Sequence, residues 1–187
     1  MRTVDEHVMR APARLCFEVA ADVESWPRLL PHYRFVRFQE KRAFGEGRVE
    51  MAAWRDFAGA GALRWPTWWV SEMHVDGREP AVHYRHVDGI TRGMNVKWSF
   101  VPDGERTLVR IVHEWSGPAW PIIGRAAADA VIGPGFVSAI ARRTLAGVAA
   151  EAERRAAAQD RAPASLGATK ARSALAPSAP PPTPGDR

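Results

Sequence analysis

The sequence has little sulfur chemistry, no long apolar run and no block of like charge. A single cysteine, Cys16, stands among 187 residues. Neither an internal disulfide framework nor a Cys-based metal site can therefore form within one chain. Its neighbours Leu15 and Phe17 mark a buried helix face, where a lone thiol is a small core residue rather than a nucleophile. No stretch reaches the roughly 18 apolar residues of a spanning helix, and the N-terminus lacks the apolar run of a signal peptide. The expectation is a cytoplasmic protein with no membrane span. The 6 histidines show neither His-x-x-x-His nor His-Glu-x-x-His spacing, which argues against a catalytic zinc. No Gly-rich phosphate loop precedes a helix, and Ser71 lacks a nucleophile-elbow context. No metal and no cofactor is expected.

What is present is an ordinary globular balance, 46% hydrophobic and 25% charged. The net charge of +5 would suit nucleic acid, but the arginines are scattered and no nucleic-acid-binding pattern occurs. A solvated basic surface is expected, with no nucleic-acid partner. The 8 Trp all lie between Trp26 and Trp120. Trp is broad and flat and carries one donor, so it serves both cores and walls that grip ring-shaped ligands.

The length suits one domain plus a tail. From about Gln159 onward Ala, Pro, Ser and Gly dominate and aromatics vanish. Such a segment buries too little apolar area to offset its ordering entropy. The expected division is a domain over 1–157 and a disordered Ala/Pro-rich tail over 158–187. Within the domain, Thr3 to Arg10 reads as a strand, Ala11-Pro12 opens a helix, and Asp22 to Leu30 is a second short helix. Tyr33 to Glu40 resumes extended structure up to a hairpin at Gly45-Glu46-Gly47. Strands are expected over 47–57, 62–75, 80–88, 91–101 and 106–116. Their turns are Gly59-Ala60-Gly61, Asp76-Gly77, Asp88-Gly89 and Asp103-Gly104, Asp-Gly being a strong hairpin signal. A long helical region from Pro118 to Ala157 closes the domain, interrupted at Gly133-Pro134-Gly135. The fold class is α+β: a curved antiparallel sheet of about seven strands around a long C-terminal helix, with an internal cavity.

Strand side chains alternate faces. In the last strand Thr107, Val109, Ile111, His113 and Trp115 share the inner face. In the strand before it Met94, Val96, Trp98 and Phe100 do, and Arg92 has the same parity. Arg55 shares a face with Val49, Met51, Ala53 and Phe57. Trp65, Thr67, Trp69, Ser71 and Met73 form another inner face, and Tyr33, Tyr84 and His86 are further polar candidates. A buried arginine is costly unless paired or wet. Arg55 and Arg92 therefore signal either a cavity that takes oxygen-bearing ligands, or strand ends where both reach solvent and pair with Asp56, Asp88 or Glu114. His113 is either a cavity acid/base or a satisfied core histidine.

The segment "APARLCFEVAADVESWPRLLPHY" resembles the opening of the polyketide cyclase/aromatase (cyclase/dehydrase) members of the START-like, helix-grip superfamily. The resemblance continues through "MNVKWSF", "RTLVRIVHEW" and "AEAERR" and covers nearly all of 1–157. It implies aldol cyclisation or dehydration of a poly-ketone chain carried by an acyl carrier protein. The family histidine matches His113 and the family tyrosine matches Tyr33. The family arginine falls at Met73, which cannot donate a hydrogen bond, and an acidic residue of some members falls near Thr144. The resemblance leaves Arg92 or Arg55 to take over the arginine role, with His113, Arg92 and Tyr33 as the catalytic candidates. The expected ligand-binding set is Arg55, Thr67, Trp69, Ser71, Met73, Tyr84, His86, Met94, Trp98 and Trp115. The alternative is a non-catalytic carrier or sensor of a lipid, quinone or other aromatic molecule. A third reading is a structural partner in a synthase complex, using Trp68 and the tail. The chain is expected to be a monomer or homodimer.

Overall fold

The computed structural model describes residues 1–56, 64–117, 135 and 137–173, with side chains described up to 161. Strand β1 (Arg2–Met9) leads into helix α1 (Ala13–Ala21), a 3₁₀ turn (Val23–Ser25) and helix α2 (Trp26–Leu29). Then come β2 (Tyr33–Ala43), β3 (Glu46–Asp56), β4 (Arg64–Asp76), β5 (Ala81–Gly89), β6 (Asn95–Asp103), β7 (Arg106–Glu114) and helix α3 (Ser138–Ser173). The strands form one antiparallel sheet in the order β1-β7-β6-β5-β4-β3-β2. Six strands thus follow one another as a meander, and β1 returns to pair with the last of them. That is the expected α+β helix-grip architecture.

Local chemistry explains the elements. Helix α1 starts after Pro12, whose fixed φ suits a helix entry, and it buries Leu15, Cys16, Val19 and Ala20 on one face. Burial pushes the Cys16 thiol up, so it stays protonated in the core. In α2, Trp26 inserts beneath the helices and its Nε1 donates to the Val19 carbonyl at 3.4 Å. Helix α3 buries Ala141, Leu145, Val148, Ala149 and Ala152, a three-to-four residue repeat that lays one stripe across β1 and α1. Asp5 of β1, itself buried, anchors the helix through an ion pair with Arg142 at 3.0 Å.

Three details depart from the sequence expectations. The first hairpin turns at Phe44-Gly45, with Ala43 already opposite Glu46; Gly45 supplies the positive φ of 67°. Trp65 remains 56% exposed at the start of β4 rather than facing inward with Thr67, Trp69, Ser71 and Met73. Most consequential is the β5–β6 connection. Strand β5 continues past Asp88 to pair Gly89 with Trp69. The chain then turns over 90–93, and β6 starts only at Asn95. The turn is closed by Met94 N–H to the Thr91 carbonyl at 3.0 Å and Gly93 N–H to the His86 carbonyl at 2.9 Å.

Helix α3 runs to Ser173, beyond the composition boundary at 157. Ala-rich sequence is the strongest intrinsic helix former. Phe57, the Gly59-Ala60-Gly61 turn, residues 118–134 with their Gly133-Pro134 interruption, and 174–187 lie outside the described residues.

Candidate functional site

Between the sheet and α3 lies a cavity of about 80 Å³, lined from β2, β3, β4, β5, β6 and β7, the 90–94 turn, α2 and the start of α3. Its walls are mostly aromatic and sulfur-bearing: Trp26, Trp69, Trp98, Met51 and Met94. Trp26 lies against Tyr33 and Trp98, with ring centroids 5.1 and 5.8 Å apart. Trp69 stacks on His86 at 6.0 Å with the planes 16° apart.

Four titratable side chains interrupt this apolar wall. His113 comes from β7 by the strand alternation that buries Thr107, Val109 and Ile111. Its Nδ1 lies 3.2 Å from the Thr3 hydroxyl of β1, which leaves Nε2 for a ligand. His86 of β5 is held through Nδ1 by the Thr91 hydroxyl at 2.6 Å. Burial lowers His86 to about 3, with His113 adding repulsion. Burial likewise lowers His113 to about 4, with the Asp5 carboxylate opposing weakly. Both rings are neutral at pH 7. Tyr33 and Tyr84 are pushed up by burial and stay protonated. The Thr144 hydroxyl of α3 lies 3.5 Å from the Tyr33 hydroxyl, donates to the Ile140 carbonyl at 2.9 Å and lies 3.0 Å from His32 Nε2. The Tyr84 hydroxyl is buried and has no hydrogen-bond partner among the described residues.

Of the residues expected at the site, His113, Tyr33, Trp69, Tyr84, His86, Met94 and Trp98 line this cavity. The others do not. Arg92 projects outward on the 90–93 turn, because Gly89 and Gly93 take positive φ values of 90° and 88° there and strand parity no longer applies. Its backbone N–H donates to the Gly89 carbonyl at 3.2 Å and its carbonyl accepts from Trp115 Nε1 at 2.9 Å, so Trp115 ties the turn down instead of facing the ligand space. Arg55 is half-buried and donates to the Gly135 carbonyl at 2.7 Å. The Thr67 hydroxyl is spent on the Ala53 carbonyl at 2.9 Å. Ser71 and Met73 are buried in the sheet's inner layer. No cation among the described residues therefore lines the cavity. Sequence reasoning missed Thr91, which the sequence places in a presumed strand. It reached Thr144 only as the position of a family acid. Nothing in the periodicity separates either hydroxyl from its neighbours. Among the described residues no cluster of His, Cys, Asp or Glu could hold a metal ion, and no helix is long and apolar enough to cross a membrane.

A seven-stranded antiparallel sheet, a C-terminal helix across it and an aromatic cavity between them define a START-like helix-grip protein. The chain belongs to the polyketide cyclase/dehydrase and lipid transport family, whose model matches residues 9–131. Among solved structures it is similar to a protein from Thermus thermophilus, at 17% identity and a TM-score of 0.64 over 81% of this chain and 97% of that one. It is similar to the Zhui aromatase/cyclase from Streptomyces sp. R1128, at 24% identity and a TM-score of 0.61 over 83% and 94%. It is also similar to a START superfamily protein from Mycobacterium smegmatis, at 15% identity and a TM-score of 0.57 over 84% and 98%. At these identities the structural similarity shows a shared fold and nothing more. Among curated proteins none matches in sequence.

Proposed function

We propose that this protein binds a neutral, ring-bearing hydrophobic molecule through its carbonyl or hydroxyl oxygens. The observation that carries this reading is the Tyr84 hydroxyl, buried and unpartnered among the described residues at the edge of an aromatic cavity. A buried donor without a partner is costly, and a ligand oxygen would satisfy it. Trp69 and His86 supply a flat stacking surface beside it. The neutral state of both histidines and both tyrosines favours a neutral ligand over a carboxylate, because a buried anion needs a paired charge. The cavity volume of about 80 Å³ is smaller than the roughly 300 Å³ of pockets that hold drug-sized ligands. Met51 and Met94 are unbranched and adaptable, so they are the side chains expected to yield.

Titration of tryptophan emission tests this. A neutral polycyclic quinone should quench it saturably, and a saturated fatty acid should bind more weakly. Tyr84→Phe should reduce quinone affinity about tenfold, the loss of one good hydrogen bond, without lowering the melting temperature. Unchanged affinity in the variant, or tighter binding of the fatty acid, would refute the reading.

Cyclisation of a poly-ketone chain, delivered on an acyl carrier protein, is the second reading. The retained His113, oriented by Thr3, favours it. Two features count against it. An imidazole held at about 4 is a weak base at neutral pH, and among the described residues no cation lines the cavity to stabilise an enolate. Faster cyclisation of a soluble poly-ketone thioester with the protein than without, abolished by His113→Gln, would reverse the order of the two readings.

A further inference from the structure

The outer face of the sheet carries a second concave feature that the cavity does not use. Outward side chains of β4, β5, β6 and β7, with Arg2 of β1 and Arg42 of β2, frame a groove of about 630 Å³. The strand register lays charges across it in rows. His74 stands opposite His83, and His83 opposite Lys97. In the next row Glu72 stands opposite Arg85, and Arg85 opposite Asn95. The acidic side chains of the groove are already engaged: Glu72 pairs with Arg42 at 2.9 Å and Glu114 with Arg2 at 3.4 Å. Glu46 pairs with His74 at 2.8 Å. Arg85 and Lys97, both exposed, make no ion pair with any described residue, and half-buried His83 lies between them on the sheet.

Along the row His74, His83 and Lys97 no acidic side chain stands opposite a basic one. Burial, Lys97 and His74 all press the His83 pKa down, against the pull of Asp76. An anion in the groove would accept hydrogen bonds from Arg85, Lys97 and His83 at once. A monocarboxylate offers one negative charge to the two uncompensated cations. A phosphate group offers up to two, together with three acceptor oxygens.

We infer that the outer groove is a binding site for a phosphate-bearing molecule, held by Arg85 and Lys97 with His83 as a third donor. The site lies on the opposite face of the sheet from the cavity, the inner residues Tyr84 and Val96 bordering both, and Arg85, Lys97 and His83 do not line the cavity. The volume of the groove leaves room for more than the phosphate itself.

The test uses the full chain and follows the histidine ring resonances by NMR. Sodium pyrophosphate is one arm, and vesicles containing phosphatidic acid are the other. Sodium chloride at matched ionic strength is the control. Pyrophosphate should shift the His83 ring saturably and leave His86 and His113 in place. The Arg85→Ser/Lys97→Ser double variant should bind about tenfold more weakly, as expected for loss of charge-assisted hydrogen bonds. Both replaced side chains are exposed, so the fold should survive. Saturation with pyrophosphate assigns a soluble phosphate ligand, and a His83 response to the vesicles alone assigns a lipid headgroup. A drift that never saturates, matches sodium chloride, or persists undiminished in the double variant would overturn the site.

Discussion

His86 and His113 are ionisable groups that the fold keeps uncharged. His86 is held near about 3 and His113 near about 4, against 6.5 for an ordinary histidine, chiefly by burial. Between those values and 6.5 the unfolded chain binds more protons than the folded one. Stability therefore rises with pH through that window and falls as the pH is lowered through it. Above 6.5 both rings are neutral folded and unfolded alike, and the contribution vanishes. Urea unfolding should accordingly show midpoints that drop as the pH goes from 6.5 toward 4, before most carboxylates titrate. His86→Gln and His113→Gln should each flatten that slope. If both variants keep the full wild-type slope, the histidines are not buried as neutral groups. Glu50, on the outer face, illustrates the opposite device. Arg37 and the Trp68 indole lower its carboxylate pKa, and Trp68, 39% exposed, is thereby fixed to the surface rather than left free.

At the scale of elements, two close approaches set the geometry of the cavity walls. Gly89 ends β5 where an added Cβ would fall 2.4 Å from the Trp68 carbonyl oxygen, so only glycine lets the 90–93 turn fold back over the cavity with Thr91 inward. Gly147 lies in α3, where alanine would ordinarily gain up to about 1 kcal/mol of helix propensity. Here the added Cβ would lie 2.1 Å from Cδ2 of Leu30, a fully buried side chain. Gly147→Ala should therefore destabilise the protein by about 1–3 kcal/mol, the usual cost of overpacking. Leu30→Ala, destabilising alone, should recover part of the loss in the double variant. Strict additivity in that cycle, measured by urea unfolding, would mean that helix and loop do not press on each other there. The same scale explains why Arg92 misled. Period-two alternation holds only while the backbone is extended, and Gly89 and Gly93 release it from that state.

For the whole molecule, α3 lays its buried stripe against β1 at the sheet edge and against α1. The buried stripe of that helix extends to Ala152, and Glu153 accepts from the Arg10 N–H at 2.9 Å. Gln159, Asp160 and Arg161 are exposed. Removal of residues 162–187 should thus leave the melting temperature within about 2 °C of the full chain, less than the shift a single lost kcal/mol gives. A larger loss would place part of that segment in the domain.

The amino-acid sequence by itself determined the run of neighbouring strands in an antiparallel sheet, the inward face of β7 with His113, the aromatic character of the cavity and the turns at Asp76-Gly77 and Asp103-Gly104. Each of those follows from residues near in sequence, through side-chain alternation and turn chemistry. The tertiary structure decided what the cavity contains electrically. It turned Arg92 out, engaged Arg55 at Gly135, brought Thr3 to His113 and Thr91 to His86, and left the Tyr84 hydroxyl without a partner among the described residues. It also aligned Arg85, His83 and Lys97 on the outer face. Those outcomes depend on where a strand stops being extended and on which residues distant in sequence meet, and no local pattern encodes either.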